Sequence, residues 1–385
     1  MNSRRSLLAS VSALAAMSLV HATPGAAQDA MPVVASFSIL GDMVERVGGE
    51  HVAVTTLVGR NGDAHVYQPT PQDARAVSEA EIMFVNGLAF EGWLDRLAEA
   101  ASFDGNLVVA TTGIEPIAFD GHGDEHGDHD DHAEHGDHDD EEHEEHADAH
   151  GDHDHAEHEE HAEAKDDHDH DHEDHADAHG EHDHDEHEEH AEAHGDAHGH
   201  EDDHAGHDHG GFDPHAWLSP TLAITYVDNI AAALAQSDPA NAATFYENRA
   251  SYVAELEALN EEIVALTAGL PDERRTVVTS HDAFQYFARD YGFTFIAPQG
   301  VSTESEASAQ DVARIIEQIR EEGVSAVFVE NISDSRLLEQ IANETGASIG
   351  GTLYPGALSE EDGPAATYLD LMRHNATVLS EAIGS

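Results

Sequence analysis

Apolar positions along the chain fall into two sets of alternating short runs and periodic stretches, separated by a long segment with almost none. In the first set, the run at 31–40 (MPVVASFSIL) has the length and β-branched content of a strand, and 41–47 reads as a helix start. Strands are expected at 51–58, 81–85 and 106–110, with helices at 71–80 and 91–101. Asn86-Gly87 marks a break at the end of the third strand. After the apolar-poor segment, Ser219 as N-cap and Pro220 in the first turn open a helix to 234. Asp238-Pro239 opens another to 270, with Phe245, Tyr252, Leu256, Leu259, Ile263 and Leu266 at helical spacing. The second set then gives strands at 276–279, 293–296, 324–329 and 347–352, with helices at 284–291, 308–322, 335–345 and 365–383.

Strands alternating with helices imply parallel βαβ units. The expected fold class is α/β: two lobes with mainly parallel sheets, joined by one long rigid helix, with a ligand cleft between them. The corresponding domains are an N-terminal lobe at 31–235, a linking helix at 236–270 and a C-terminal lobe at 271–385.

Charge and histidine sharpen this picture. The 385 residues include 15 Lys and Arg, 80 Asp and Glu, 34 His and no Cys. So acidic a chain lacks the clustered cations that phosphate contacts need, so no nucleic-acid partner is expected. Without cysteine there is no disulfide framework, thiolate zinc site, iron–sulfur cluster, catalytic thiol or lipid-bearing Cys in this sequence. The stretch from Asp120 to His209 holds 28 of the histidines, 40 of the acids and the lone Lys165. It cannot bury enough apolar surface to offset its chain entropy, and 120–210 reads as a disordered insertion in the N-terminal lobe.

Residues 1–27 read as a secretory signal: Arg4-Arg5, an apolar run too short to span a bilayer comfortably, then small residues up to Ala27. Ser3-Arg4-Arg5-Ser6-Leu7-Leu8 also suits a twin-arginine signal, and the choice between export routes stays open. The mature chain is expected to be exported and soluble.

Six histidines lie outside the insertion. His21 leaves with the signal, while His51 and His374 read as surface or packing residues. His65 sits in a Gly- and Pro-rich loop after a strand, and His215 in Asp213-Pro214-His215-Ala216-Trp217. His281 stands at a strand-to-helix junction, the edge at which open α/β sheets bind ligands. Each alone is equally a plain loop histidine, and their spacing allows but does not demand a shared site.

The stretches VVASFSILGD (33–42), GDAHVYQPT (62–70), VNGLAFEGWL (85–94), DPHAWL (213–218), TSHDAF (279–284) and VFVENISD (327–334) together resemble the metal-specific solute-binding proteins of bacterial ABC importers, especially the periplasmic zinc branch. The resemblance implies two α/β lobes, a rigid linking helix and one interfacial metal held by His65, His215 and His281. Manganese- and iron-binding relatives usually carry a carboxylate at the position of His281. Three imidazoles suit tetrahedral Zn2+, with Zn–N bonds of about 2.0–2.1 Å. Mn2+ prefers oxygen donors, while Cu2+ would also accept this set.

The usual fourth ligand, an acid, falls at Gly356, and another position sometimes acidic is Ala64. Water, a histidine of the insertion, Glu330 or Glu360 remain as alternatives, with water favoured. Asp213 and Asp282 are candidates either to accept the second ring N–H of a ligand histidine or merely to cap local turns. Trp93 and Trp217 are read as core residues. The implied role is periplasmic zinc delivery, with Zn2+ as transported ligand and the His-rich loop as accessory metal capture. Implied partners are an inner-membrane ABC permease, zinc ions and, optionally, a periplasmic metallochaperone, with the chain a monomer. A periplasmic zinc buffer and a zinc-dependent hydrolase are the alternatives.

Overall fold

The computed structural model describes residues 30–119, 211–324 and 326–384. The export signal and the His-rich insertion read from the sequence lie outside the described residues.

The N-terminal sheet has four parallel strands, β1 (Met31–Phe37), β2 (Val52–Val58), β3 (Ile82–Val85) and β4 (Asn106–Val109), in the order β2-β1-β3-β4. Its connections are α1 (Ser38–Gly48), α2 (Pro71–Glu79) and α3 (Leu94–Ala101). The C-terminal sheet repeats that order as β6-β5-β7-β8, with β5 (Thr276–Val278), β6 (Thr294–Ile296), β7 (Ala326–Glu330) and β8 (Ser348–Leu353), again all parallel. Helices α6 (Gln285–Tyr291), α7 (Ala309–Glu322), α8 (Arg336–Thr345) and α9 (Tyr368–Gly384) accompany it. In both sheets the chain reverses its direction of travel between the two central strands, and loops at the carboxyl ends of such strands form ligand crevices.

Between the sheets run α4 (Pro220–Ser237) and α5 (Ala242–Thr267). The long helix begins later than the sequence pattern suggests. Asp238 accepts the backbone N–H groups of Ala240 and Asn241, and the Asn241 side chain, so 238–241 is a turn. At about 1.5 Å per residue α5 spans about 39 Å. Its buried stripe of Phe245, Tyr252, Leu256, Leu259 and Ile263 faces α4, α1 and α9. The first strand also ends sooner than expected. Ile39 and Leu40 extend its apolar run in sequence but are buried in the first turn of α1. One contiguous core runs through both lobes, and a smaller cluster (Val278, Ile315, Ile319, Val327, Leu338, Ile341) joins the C-terminal sheet to α7 and α8. Among the described residues no helix is long and apolar enough to cross a membrane.

Candidate metal centre

Three loops at sheet edges bring His65, His215 and His281 together. One ring nitrogen from each lies within 4.8 Å of the others, and no further His, Asp or Glu among the described residues joins the group. The ring centroids stand 5.3 Å (His65–His215), 5.7 Å (His65–His281) and 5.3 Å (His215–His281) apart. His215 and His281 are fully buried, and His65 is half-buried.

His65 lies in the loop after β2. Asp63 Oδ1 accepts its backbone N–H at 2.9 Å, and the Trp93 indole donates to the Ala64 carbonyl at 2.8 Å. Phe90 packs edge-on against the His65 ring at 4.8 Å. His215 precedes a 3-10 turn, Ala216–Leu218, that leads into α4. Its backbone N–H (2.9 Å) and its Nδ1 (2.7 Å) both meet Asp213 Oδ1. His281 follows β5, and Glu330 at the end of β7 is its counterpart of Asp213. Glu330 Oε1 accepts the N–H groups of Ser280 (3.0 Å) and His281 (3.2 Å), and Oε2 lies 2.6 Å from His281 Nδ1.

These carboxylates fix the tautomers. A proton held on Nδ1 by Asp213 or Glu330 leaves the Nε2 lone pair of each neutral ring facing the centre. His215 Nε2 lies 3.3 Å from His65 Nε2, and His281 Nε2 is buried with no hydrogen-bond partner. Two nitrogens on a tetrahedral ion with bonds of about 2.05 Å stand about 3.3–3.4 Å apart. A buried, orphaned nitrogen aimed at that point is what a cation would satisfy.

Electrostatics agree with the geometry. Burial, reinforced by the nearby His281, pulls the His215 imidazole well below its ordinary range. Burial also pushes the Asp213 carboxyl up to about 7, despite the hydrogen bond from the His215 backbone. Burial acts to lower His281 too, but the charge and hydrogen bond of Glu330 outweigh it and the imidazole moves up. Glu330 thus favours the protonated form of His281, and burial favours the protonated form of Asp213.

Glu330, one alternative for the fourth ligand, has its carboxylate behind the His281 ring, and Ser333 Oγ also donates to it at 3.2 Å. Glu360 is exposed and accepts from the Asn61 amide. Of the two aspartates singled out beside these histidines, Asp213 reaches a ring, while Asp282 accepts from Gln285 at the start of α6. His51 packs on Phe245, and His374 meets the Thr352 carbonyl, so neither enters the cluster. Both tryptophans are buried, and each also ties down a loop carbonyl: Trp93 that of Ala64, Trp217 that of Pro355. Sequence reasoning missed Phe90 as a wall of the site and Glu330 as the partner of His281. An acid closing the apolar strand AVFVE at a sheet edge was the available signal for the latter.

A family model described as the periplasmic component A of a zinc-uptake complex matches residues 33–382. The manganese-binding lipoprotein MntA of Halalkalibacterium halodurans is 27% identical over 347 residues, 90% of this chain and 86% of the relative. The iron-binding protein YfeA of Yersinia pestis is 25% identical over 378 residues, 98% and 94% of the two chains. Among solved structures, the Mn-bound periplasmic metal-binding protein from Candidatus Liberibacter asiaticus superposes with a TM-score of 0.63 at 25% identity, covering 91% of this chain and 98% of that one. The periplasmic zinc-binding protein TroA from Treponema pallidum has the same fold, with a TM-score of 0.66 at 21% identity over 92% and 99% of the two chains.

Proposed function

The chain belongs to the family of periplasmic component A proteins of zinc-uptake complexes, metal-binding solute-binding proteins of ABC importers, and from that premise we propose that its cargo is Zn2+, held by His65, His215 and His281. Members of this family are solute-binding proteins rather than enzymes, so the hydrolase alternative falls away. The work of the molecule is to bind, present and release a divalent ion to its permease.

The observation that carries zinc is the donor set. Three imidazoles converge without a carboxylate among them, and the 3.3 Å separation of two Nε2 atoms matches the edge of a tetrahedron around Zn2+. The relatives named for manganese and iron make the metal a matter for experiment, since oxygen donors favour those ions. Charge balance also supports a divalent ion here. Asp213 and Glu330 stand directly behind two of the rings, and such buried acids complement a cation at the centre. Water is the favoured fourth ligand. The reading extends to the parts outside the described residues: export to the periplasm by the N-terminal signal, and metal capture by the insertion at 120–210, both on sequence grounds.

The test is competitive titration of the mature full-length chain with Zn2+, Mn2+ and Cu2+ against a chromophoric chelator, beside the His281→Ala chain. One site preferring Zn2+ to Mn2+ by about 100-fold or more, and lost in His281→Ala, is expected. Equal affinity for Mn2+ would remove zinc as cargo. Unchanged tight zinc binding in His281→Ala would move the site out of the cleft, in favour of the buffer alternative.

A further inference from the structure

His65 belongs by sequence to the N-terminal lobe, yet the loop that carries it is held largely by the C-terminal lobe. Arg60 donates to the carbonyls of Ser359 (2.7 Å) and Ala366 (2.8 Å), and the Asn61 N–H to that of Leu358 (2.9 Å). Asn61 has a φ of 55°, a left-handed conformation that such fixed contacts can hold. Thr303 and Asn331 add further bonds, the first of them at the carboxylate that holds the His65 backbone. Thr303 Oγ1 donates to Asp63 Oδ2 at 2.5 Å, and the other oxygen of that carboxylate receives the His65 N–H. Asn331 donates through Nδ2 to Asn61 Oδ1 at 3.1 Å and to the Ala357 carbonyl at 3.3 Å.

Asn331 directly follows Glu330. Two consecutive residues at the end of β7 thus hold the two half-sites: Glu330 the ring of His281, Asn331 the loop of His65. Asp63 is likewise two-sided, gripping the ligand backbone with one oxygen and the opposite lobe with the other.

We propose that Thr303 and Asn331, C-terminal residues outside the ligand set, are positioning residues for His65 and set how long the metal stays bound. This inference rests on the reading of His65 as a ligand. The physical reason is the freedom of a loop histidine. A ligand on an untethered loop must be ordered at each binding event, and groups that orient ligands from behind typically govern affinity by about 10–100-fold. Here the tether comes from the other lobe, so residues of both lobes take part in holding His65.

The experiment uses the mature full-length chain with half an equivalent of Co2+ or Zn2+, so that the tightest site fills first. His65→Ala supplies the reference Co2+ absorption spectrum. Thr303→Val removes the donor at constant shape, Thr303→Ser restores it, and Asn331→Asp replaces both donated bonds by an acceptor. The expected result is Zn2+ release to a chelator about 10-fold faster in Thr303→Val and Asn331→Asp, and wild-type release in Thr303→Ser. The Co2+ bands of the two impaired variants should shift toward those of His65→Ala, with metal-free melting temperatures unchanged. Wild-type release rates and bands in both impaired variants would overturn the proposal. So would Thr303→Ser as fast as Thr303→Val, or faster release that only tracks a lower melting temperature. A His65→Ala spectrum identical to wild type would instead remove the ligand reading itself, and this inference with it.

Discussion

Glu330 Oε2 lies 2.6 Å from Nδ1 of His281, with both side chains wholly excluded from solvent. A carboxylate so placed orients the ring and strengthens Nε2 as a donor. Glu330→Gln keeps the size but loses the charge. It should weaken Zn2+ binding by about 10–100-fold, read by competition with a chelator, while the metal-free fold persists. Unchanged affinity would mean that packing alone orients His281.

Metal binding should release protons. His281 is shifted up by Glu330, after the opposing effect of burial, and Asp213 is pushed up to about 7 by burial. Both shifts favour the protonated form in the metal-free site, and a cation there displaces such protons. Zn2+ affinity should rise with pH and level off once these groups have titrated. Calorimetry at pH 6.5 in buffers of different ionisation enthalpy should give about one to two protons released per ion. No dependence of the observed heat on the buffer would contradict a protonated site.

Asp42 offers a stability test away from the metal. Its Oδ2 accepts the N–H of Tyr368, joining α1 to the first residue of α9. Burial pushes this carboxyl up to about 6 from 3.8, against the hydrogen bond from Tyr368 and the charge of Arg46. The folded state thus binds the proton more tightly than the unfolded chain. Its contribution is fully present below about pH 3.8 and is lost as pH rises through about 6. Asp42→Asn keeps an acceptor for Tyr368 without the buried charge. At pH 7 it should raise stability by roughly 2 kcal/mol, measured by urea unfolding, and flatten the dependence between pH 4 and 6. A less stable variant at pH 7 would show that the ionised carboxylate is worth more than its burial costs.

The alternation of elements was legible because strands buried on both faces read as continuous apolar runs, as in β7. The same feature hid the end of β1, since Ile39 and Leu40 are equally apolar in a strand or in the first turn of α1. The turn at 238–241 was masked by Asp-Pro, which opens helices and turns alike. The three histidines could be chosen one by one from loop chemistry, but 150 residues separate His65 from His215, and no spacing rule joins them. Only the pairing of β5 with β7 brings Glu330 behind His281. Asp213 stands two residues before His215, and Asp282 one residue after His281. Asp213 reaches the His215 ring across the intervening Pro214, whereas Asp282 accepts from Gln285, and neither outcome can be read from adjacency to a histidine.

The same geometry limits how metal choice can be changed. Oxygen donors suit Mn2+ better than imidazole does, so His281→Glu is the obvious exchange. Here, however, the new carboxylate would lie beside Glu330, whose partner at 2.6 Å would be gone. Two buried like charges cannot both ionise cheaply, so one would take up a proton and the donor would be weakened. His281→Glu alone should lose Zn2+ binding by about 100-fold or more without gaining Mn2+. Adding Glu330→Gln removes the repulsion and supplies an amide donor to the new carboxylate. The double variant should bind Mn2+ more tightly than His281→Glu does, by about 10-fold, in titrations followed by electron paramagnetic resonance of free Mn2+. Equal Mn2+ binding by the single and double variants would show that like-charge repulsion from Glu330 does not limit the exchange, and that ligand position decides it.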